Sequence, residues 1–367
     1  MKLHSVVPVL LFCSIAAALS AQSPPAWHDP SPHKVQFVAV DKDVKLEVLD
    51  WGGTGRPVVL LTGFGNTAHV FDDFAPKLTS QYHVYGITRR GFGASSVPPS
   101  GYSADRLGDD VLAVLDALKL DRPVLVGHSV GGEELSSVAT RHPEKIAGVV
   151  YLDAAYFYAY YDTKRGNFTM DRLELIRKLQ QLQPEVTPSD LKTVQQLLQQ
   201  DLPSFEKDLR DEEELVQAES MLRQPPPRRA DRTSFSAYHA WQMKDGGWAF
   251  PESELRQDFE SNPDGSVGKA LVHAEAQAIK AGLQKYTDIR VPALAIYALP
   301  PESPDNEPAA RALRDRVVAD TMAQASAFQA GVTSARVVRL PNAEHYVFLS
   351  NEPDVLREMR AFLKDLQ

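Results

Sequence analysis

Val124-Leu125-Val126-Gly127-His128-Ser129-Val130-Gly131-Gly132 is the stretch whose reading decides the fold of this chain. Its first three residues form a short apolar run of strand formers. Gly127 to Gly131 then reads as a tight turn with Ser129 at its apex. Glu133 to His142, stopped by Pro143, reads as a helix, and its two leading acids suit the positive end of the helix dipole. A G-x-S-x-G turn between strand and helix is sharp enough to force its serine into a strained backbone. Glycines are expected at 127 and 131 because a Cβ there would collide with the neighbouring strand or helix. Such a turn lifts the Ser129 hydroxyl clear, and the Val130 N–H faces the same point from the helix terminus.

Working outward, Lys34–Val40 and Val44–Trp51 largely alternate apolar and polar residues, predicting a half-exposed antiparallel pair. Val58–Leu61 is continuously apolar, as in a strand buried on both faces of a parallel sheet. The glycine-rich loop Thr62-Gly63-Phe64-Gly65-Asn66 follows it and can aim the Phe64 N–H at the same point as that of Val130; a plain strand-to-helix turn is the alternative. His83–Ile87 is a further strand. Leu107, Val111, Leu115 and Leu118 recur on one face of a helix over 104–118. Gly148–Asp153 is the next buried strand. Strands alternate with helices from Val58 to Asp153, which predicts an α/β fold, a mostly parallel sheet with helices on both faces.

The alternation then stops. Residues 156–288 are rich in helix formers, with a cap-and-proline start at Thr187-Pro188, a break at Pro225-Pro226-Pro227 and a further helix expected over 270–283. Their architectural reading is a helical lid inserted over the C-terminal ends of the strands, where α/β folds bind ligands. The sheet resumes with Ala293–Tyr297 and ends with Ala335–Leu340. Helices are expected over 309–328 and 354–366. The expected organisation is a signal peptide at 1–21, a linker at 22–33, a first core part at 34–155, the lid at 156–288 and a second core part at 289–367.

Composition narrows the partners. The formal charge of −9 is spread without a basic run longer than a pair, which argues against nucleic acid. No Cys/His group has metal-ligand spacing, so neither a metal nor a cofactor is expected. Lys2, the apolar run Val6–Leu19 and the small residues after it read as an export signal cleaved after Ser20 or Ala21. That run is short for a membrane span, and no stable insertion is expected after its removal. Cys13, the one cysteine, lies inside it, so the mature chain is expected to rely on a core rather than on disulfides.

Together, Thr62-Gly63-Phe64-Gly65, Arg90-Gly91-Phe92-Gly93-Ala94-Ser95, the Ser129 turn and Glu344-His345 ahead of the last helix resemble the α/β-hydrolase superfamily. The resemblance covers residues 35–153 and 291–367. It implies Ser129 as nucleophile, His345 as general base, oxyanion-hole N–H groups at Phe64 and Val130, and a lid formed by the insertion. The family's acid usually follows the strand assigned here to 293–297. That loop lacks the usual glycine, and Glu302 is nearest the expected place. Asp153, at the end of the preceding strand, is the other position the superfamily uses, and Asp305 is a third candidate. Thr62 and Thr88 replace a histidine and an aspartate common in the family, and neither change removes a backbone donor.

A serine hydroxyl is a poor nucleophile at neutral pH, so it needs an imidazole to take its proton and a carboxylate to hold the imidazole. Relatives with an aspartate at the turn form alkyl esters instead; Ser129 points to acyl transfer. The leading expectation is an exported carboxylic ester hydrolase acting on a small, partly apolar substrate. Cleavage of an amide, lactone, thioester or carbon–carbon bond on the same fold is the second, and a non-catalytic ligand-binding relative the third. Tyr156, Phe157, Tyr158, Tyr160 and Tyr161 are expected either to line an apolar pocket, with Tyr156, Phe157 and Tyr160 foremost, or to anchor the lid. His128 is expected to pack or hydrogen-bond rather than catalyse.

Overall fold

Eight strands pair in one sheet, and their order explains where the chemistry-bearing residues end up. The computed structural model describes residues 27–182, 187–203, 205, 226–302 and 308–366. The expected signal peptide and its cleavage site, Asp305 and Pro225 lie outside the described residues, as does the first part of the expected linker.

The elements in chain order are β1 (Lys34–Asp41), β2 (Val44–Gly52), β3 (Pro57–Leu61), β4 (His83–Ile87), α1 (Ala104–Ala117), β5 (Val124–His128), α2 (Gly131–Arg141) and β6 (Gly148–Leu152). The insertion carries α3 (Phe168–Gln181), α4 (Pro188–Gln196), α5 (Phe235–Gly246), α6 (Glu252–Asp258), β7 (Phe259–Ser261), β8 (Val267–Ala270) and α7 (Glu275–Gly282). Then come β9 (Ala293–Leu299), α8 (Pro308–Gly331), β10 (Ala335–Pro341) and α9 (Glu352–Asp365). The sheet runs β1-β2-β4-β3-β5-β6-β9-β10. The β1–β2 and β2–β4 pairs are antiparallel, and all the others are parallel.

Parallel strands cannot be joined by hairpins, so each connection crosses a face of the sheet and covers it. One apolar layer holds Val59, Leu61, Leu125, Val149 and Ala295 against Val111, Leu135 and Phe328. The opposite layer holds Leu60, Val126, Val150 and Ile296 against Phe71, Phe348 and Met359. Alternate residues of β3, β5, β6 and β9 serve the two layers, which is why these strands read as unbroken apolar runs. Each fully buried Leu or Val contributes roughly 1.5–3 kcal/mol.

The insertion departs from the expected all-helical form. Asn262-Pro263-Asp264-Gly265 turns a small antiparallel hairpin between β7 and β8. The helix expected over 270–283 is accordingly shorter, because Ala270 ends β8 and α7 begins at Glu275. Thr187 does open α4: its hydroxyl accepts from the Asp190 N–H, and Asp190 returns the bond to the Thr187 N–H. Among the described residues, no helix is long and apolar enough to cross a membrane.

Candidate active site

Parallel register brings the decisive residues to one rim. Leu61 at the end of β3 pairs with Gly127 on β5, and His128 pairs with Leu152 on β6. The loops after β3, β5 and β6 therefore leave the sheet side by side. Each delivers one group: Phe64, Ser129 and Asp153.

The turn after β5 has the strain its glycines announce. Ser129 has φ +50°, a left-handed conformation that a side chain rarely adopts. A Cβ on Gly127 would stand 2.8 Å from the Gly131 backbone, and one on Gly131 would stand 3.0 Å from the carbonyl oxygens of Leu61 and Thr62. The second of these contacts presses the start of α2 onto the end of β3. Val130 and Phe64, which flank that contact, pack in one apolar cluster. Asp153, at the head of the neighbouring strand, is also left-handed, with φ +45°.

His345 arrives from the loop after β10, two strands beyond β6, and turns back over the rim. Its Nδ1 lies 2.7 Å from Asp153 Oδ2. A carboxylate only accepts, so Nδ1 carries the hydrogen, and in a neutral ring that arrangement leaves the lone pair on Nε2. The other Asp153 oxygen accepts from the Tyr156 hydroxyl at 2.7 Å and from the Ala298 N–H at 2.9 Å. Three donors thus fix this buried carboxylate.

These positions correct two expectations. The carboxylate on the His345 ring is Asp153, not Glu302. After β9 the chain runs into Pro300-Pro301 and carries Glu302 out to an exposed position, while the Ala298 N–H at the end of that strand is spent on Asp153. In the aromatic run, Tyr160 is packed away from the rim, 5.6 Å from Phe328 in the core. Tyr156 donates to Asp153, and Tyr161 donates to Asp171 at 2.6 Å, which holds the start of the insertion to α3. Phe157 remains at the rim, packed with Phe64 and Tyr158 against a cluster that includes Phe92 and Val130.

Tyr158 and His128 add features that spacing alone did not assign. The Tyr158 phenol reaches the Ser129 side chain; burial first, then the nearby Asp153 charge, push it far above its ordinary value, so it stays a donor. His128 is fully buried, and burial together with the His345 ring holds it well below the ordinary histidine value. It is therefore neutral, and its Nε2 donates to the His345 carbonyl at 3.1 Å. The two rings lie 4.6 Å apart. His128 thus packs and hydrogen-bonds, steadying the backbone of His345.

The Phe64 loop is held from beneath. Arg89 donates to the Thr62 and Gly63 carbonyls at 2.8 and 3.2 Å, and to Glu134 of α2 at 2.5 and 3.1 Å. One buried ion pair thereby ties the loop after β3 to the helix after Ser129. Around them stand a raised hydroxyl, an imidazole with its free nitrogen's role set by a carboxylate, and two converging backbone segments. A serine, a histidine held by a carboxylate and a nearby glycine-rich loop are the parts from which hydroxyl-activating sites are built.

Comparison with known proteins agrees with this fold. A family model described as the alpha/beta hydrolase fold matches residues 56–352. The 2-(acetamidomethylene)succinate hydrolase of Mesorhizobium japonicum is 28% identical over 122 residues, 33% of this chain and 41% of that protein. The fluoroacetate dehalogenase of a Burkholderia species is 33% identical over 107 residues, 28% of this chain and 35% of its own length. The chain thus spans under half the length of these relatives. A crystal structure of E-2-(acetamidomethylene)succinate hydrolase superposes with a TM-score of 0.54 at 18% identity, covering 90% of this chain and 99% of that one, a likeness of fold.

Proposed function

The chain belongs to the α/β-hydrolase family, and from that premise we propose that it is an exported serine hydrolase that cleaves carboxylic esters through an acyl-enzyme on Ser129. The observation that carries the reading is the 2.7 Å contact between His345 Nδ1 and Asp153, on the rim where Ser129 is held at φ +50°.

In this mechanism the Ser129 oxygen attacks the ester carbonyl carbon as His345 Nε2 takes the hydroxyl proton. The carbonyl π pair moves onto oxygen, and the Phe64 and Val130 N–H groups stabilise the oxyanion. When the intermediate collapses, the C–O bond to the alcohol breaks and the leaving oxygen takes the proton from His345. Water then repeats the sequence and releases the acid, returning the proton to Ser129. Asp153 stabilises the imidazolium in both halves. Phe64, Phe157, Tyr158 and Phe92 favour a partly apolar small-molecule substrate.

A panel of p-nitrophenyl esters tests the reading. Medium-chain and aromatic acyl esters should turn over faster than the acetate, and Ser129→Ala should abolish turnover. Turnover that persists in Ser129→Ala would contradict the reading. Export is tested by N-terminal sequencing of protein from the producing cells. The mature chain should begin at Ala21 or Gln22, and an intact Met1 would contradict export.

A further inference from the structure

One helix of the insertion grips the loop that carries Phe64. Glu254 on α6 is fully buried. Its Oε1 accepts from Asn66 Nδ2 at 2.9 Å and from the Thr67 N–H at 3.0 Å, and its Oε2 accepts from Thr67 Oγ1 at 2.5 Å. Asn66 and Thr67 follow Phe64 directly through Gly65, whose φ of +86° turns the chain. The preceding residue, Ser253, donates to Asp72 at 2.6 Å, so two consecutive residues of α6 are pinned to the sheet domain.

The grip also reaches the His345 loop. The Tyr346 hydroxyl donates to Asn66 Oδ1 at 3.0 Å. Asn66 thereby has its amide orientation dictated from both sides: its NH2 faces Glu254 and its oxygen faces Tyr346. The Tyr346 ring lies 4.5 Å from His128 and 4.8 Å from Phe250 just before α6. One side chain in the insertion therefore joins the loop of the oxyanion donor to the loop of the base.

We propose that Glu254 is a positioning residue for the reaction, clamping the Asn66–Thr67 end of the oxyanion loop so that the Phe64 N–H is aligned only while α6 is seated. The proposal rests on the ester-hydrolase reading of the site. The clamp is built from an expensive group. Asp258 stands four residues on, on the same face of α6, where two like charges repel. Burial first, and then the Asp258 charge, hold Glu254 well above the usual carboxylate range, and burial raises Asp258 as well. The hydrogen-bond partners of Glu254 are uncharged, Asn66 and Thr67 from the loop, and the Tyr346 phenol on the base loop reaches Asn66. Full ionisation of Glu254 and Asp258 would put two negative charges in one dry site, so both carboxyls resist losing their protons.

Steady-state kinetics of the full chain on a p-nitrophenyl ester test the clamp. Glu254→Ala should lower kcat by about 10–100-fold with KM changed less than about threefold, the signature of a misaligned oxyanion donor. Glu254→Gln, whose amide oxygen can still accept from Asn66 and Thr67, should restore kcat to within about threefold of the parent. The parent kcat should also fall between about pH 7 and pH 9, and Asp258→Asn, nearly isosteric, should remove that fall. A parent-like kcat in Glu254→Ala, an equal loss in the alanine and glutamine variants, or an unchanged alkaline limb in Asp258→Asn would each overturn the proposal. An active parent matched by Glu254→Ala defeats the clamp alone. A parent without ester turnover or Ser129 labelling defeats the reading beneath it.

Discussion

Between Pro57 and Leu152 the sheet strands bury nearly every side chain, whereas α3 leaves Leu179 50% exposed and the α4 region leaves Leu191 and Leu198 above 60%. The two regions also hold their charges differently. Under the rim, Arg89 and Glu134 form a buried pair that ties the loop after β3 to α2. In the insertion, Lys285, Asp171 and Glu174 form a half-exposed cluster that anchors α3 without touching the rim. The sheet region holds geometry by packing. The insertion is attached by a smaller apolar cluster, in which Met170, Leu173, Ile279 and Leu283 meet Phe92, Tyr102, Leu107 and Val130, and by polar contacts such as those of Ser253, Glu254 and Tyr286. Precision at the rim is therefore expected to come from the sheet, and tuning of that precision from the insertion.

The largest effect should come from removing rim chemistry. Asp153→Asn leaves the size of the side chain intact but can leave His345 in the wrong tautomer, and kcat should fall by about 10⁴-fold. Glu302→Gln, on the exposed loop, should leave kcat unchanged. Comparable losses in both variants would return the acid to the loop after β9.

Next in size is the buried pair. Glu134→Ala strands the Arg89 charge in a dry site and should cost about 3–5 kcal/mol in denaturant unfolding. Lys285→Ala, in the half-exposed cluster, should cost about 0–1 kcal/mol. Equal costs would erase the distinction between the two regions.

A packing comparison sharpens it further. Leu60→Ala removes a fully buried side chain beneath the rim and should cost about 2–5 kcal/mol. Leu198→Ser, on the insertion surface, should stay within about 0.5 kcal/mol. A large loss at Leu198 would mean that its face is covered in solution.

What could be read from residues alone follows the same division. Runs such as Val58–Leu61 and Val124–Val126 are apolar throughout because both faces of their strands are covered, and their shortness and β-branched residues mark them as strands. Ser129 was legible because only a strained turn needs glycines at 127 and 131. The acid was not, because two adjacent strands, β6 and β9, both end near the rim with a carboxylate close by. Only the outward course of Pro300-Pro301 separates Asp153 from Glu302. The hairpin of β7 and β8 was missed because strands of three and four residues are too short to show alternation. The roles within Tyr156–Tyr161 were hidden for a similar reason. Five aromatic residues in a six-residue turn carry no period, so position along the chain does not say which hydroxyl meets Asp153, Ser129 or Asp171.

The smallest predicted effect is a pH slope outside the rim. His69 is buried between Asp72 and Glu47, with Nδ1 3.1 Å from Asp72 and Nε2 3.7 Å from Glu47. Burial works against its charge, but these partners outweigh it and raise the ring to about 10. Burial likewise opposes the Asp72 charge, and hydrogen bonds from His33, His69 and Ser253 hold that carboxyl below its usual range. A histidine raised on folding stabilises fully below its unfolded value near 6.5, and that contribution is lost as pH rises toward about 10. Thermal midpoints should therefore decline over that window, and His69→Gln should flatten the decline. A midpoint that stays level in the parent would contradict the ion-pair assignment.

The most direct test is covalent. A fluorophosphonate probe should form one adduct per folded chain, mapped by peptide mass spectrometry to Ser129 and absent from Ser129→Ala. Folded protein that takes no probe, or takes it on another residue, would contradict the account at its centre.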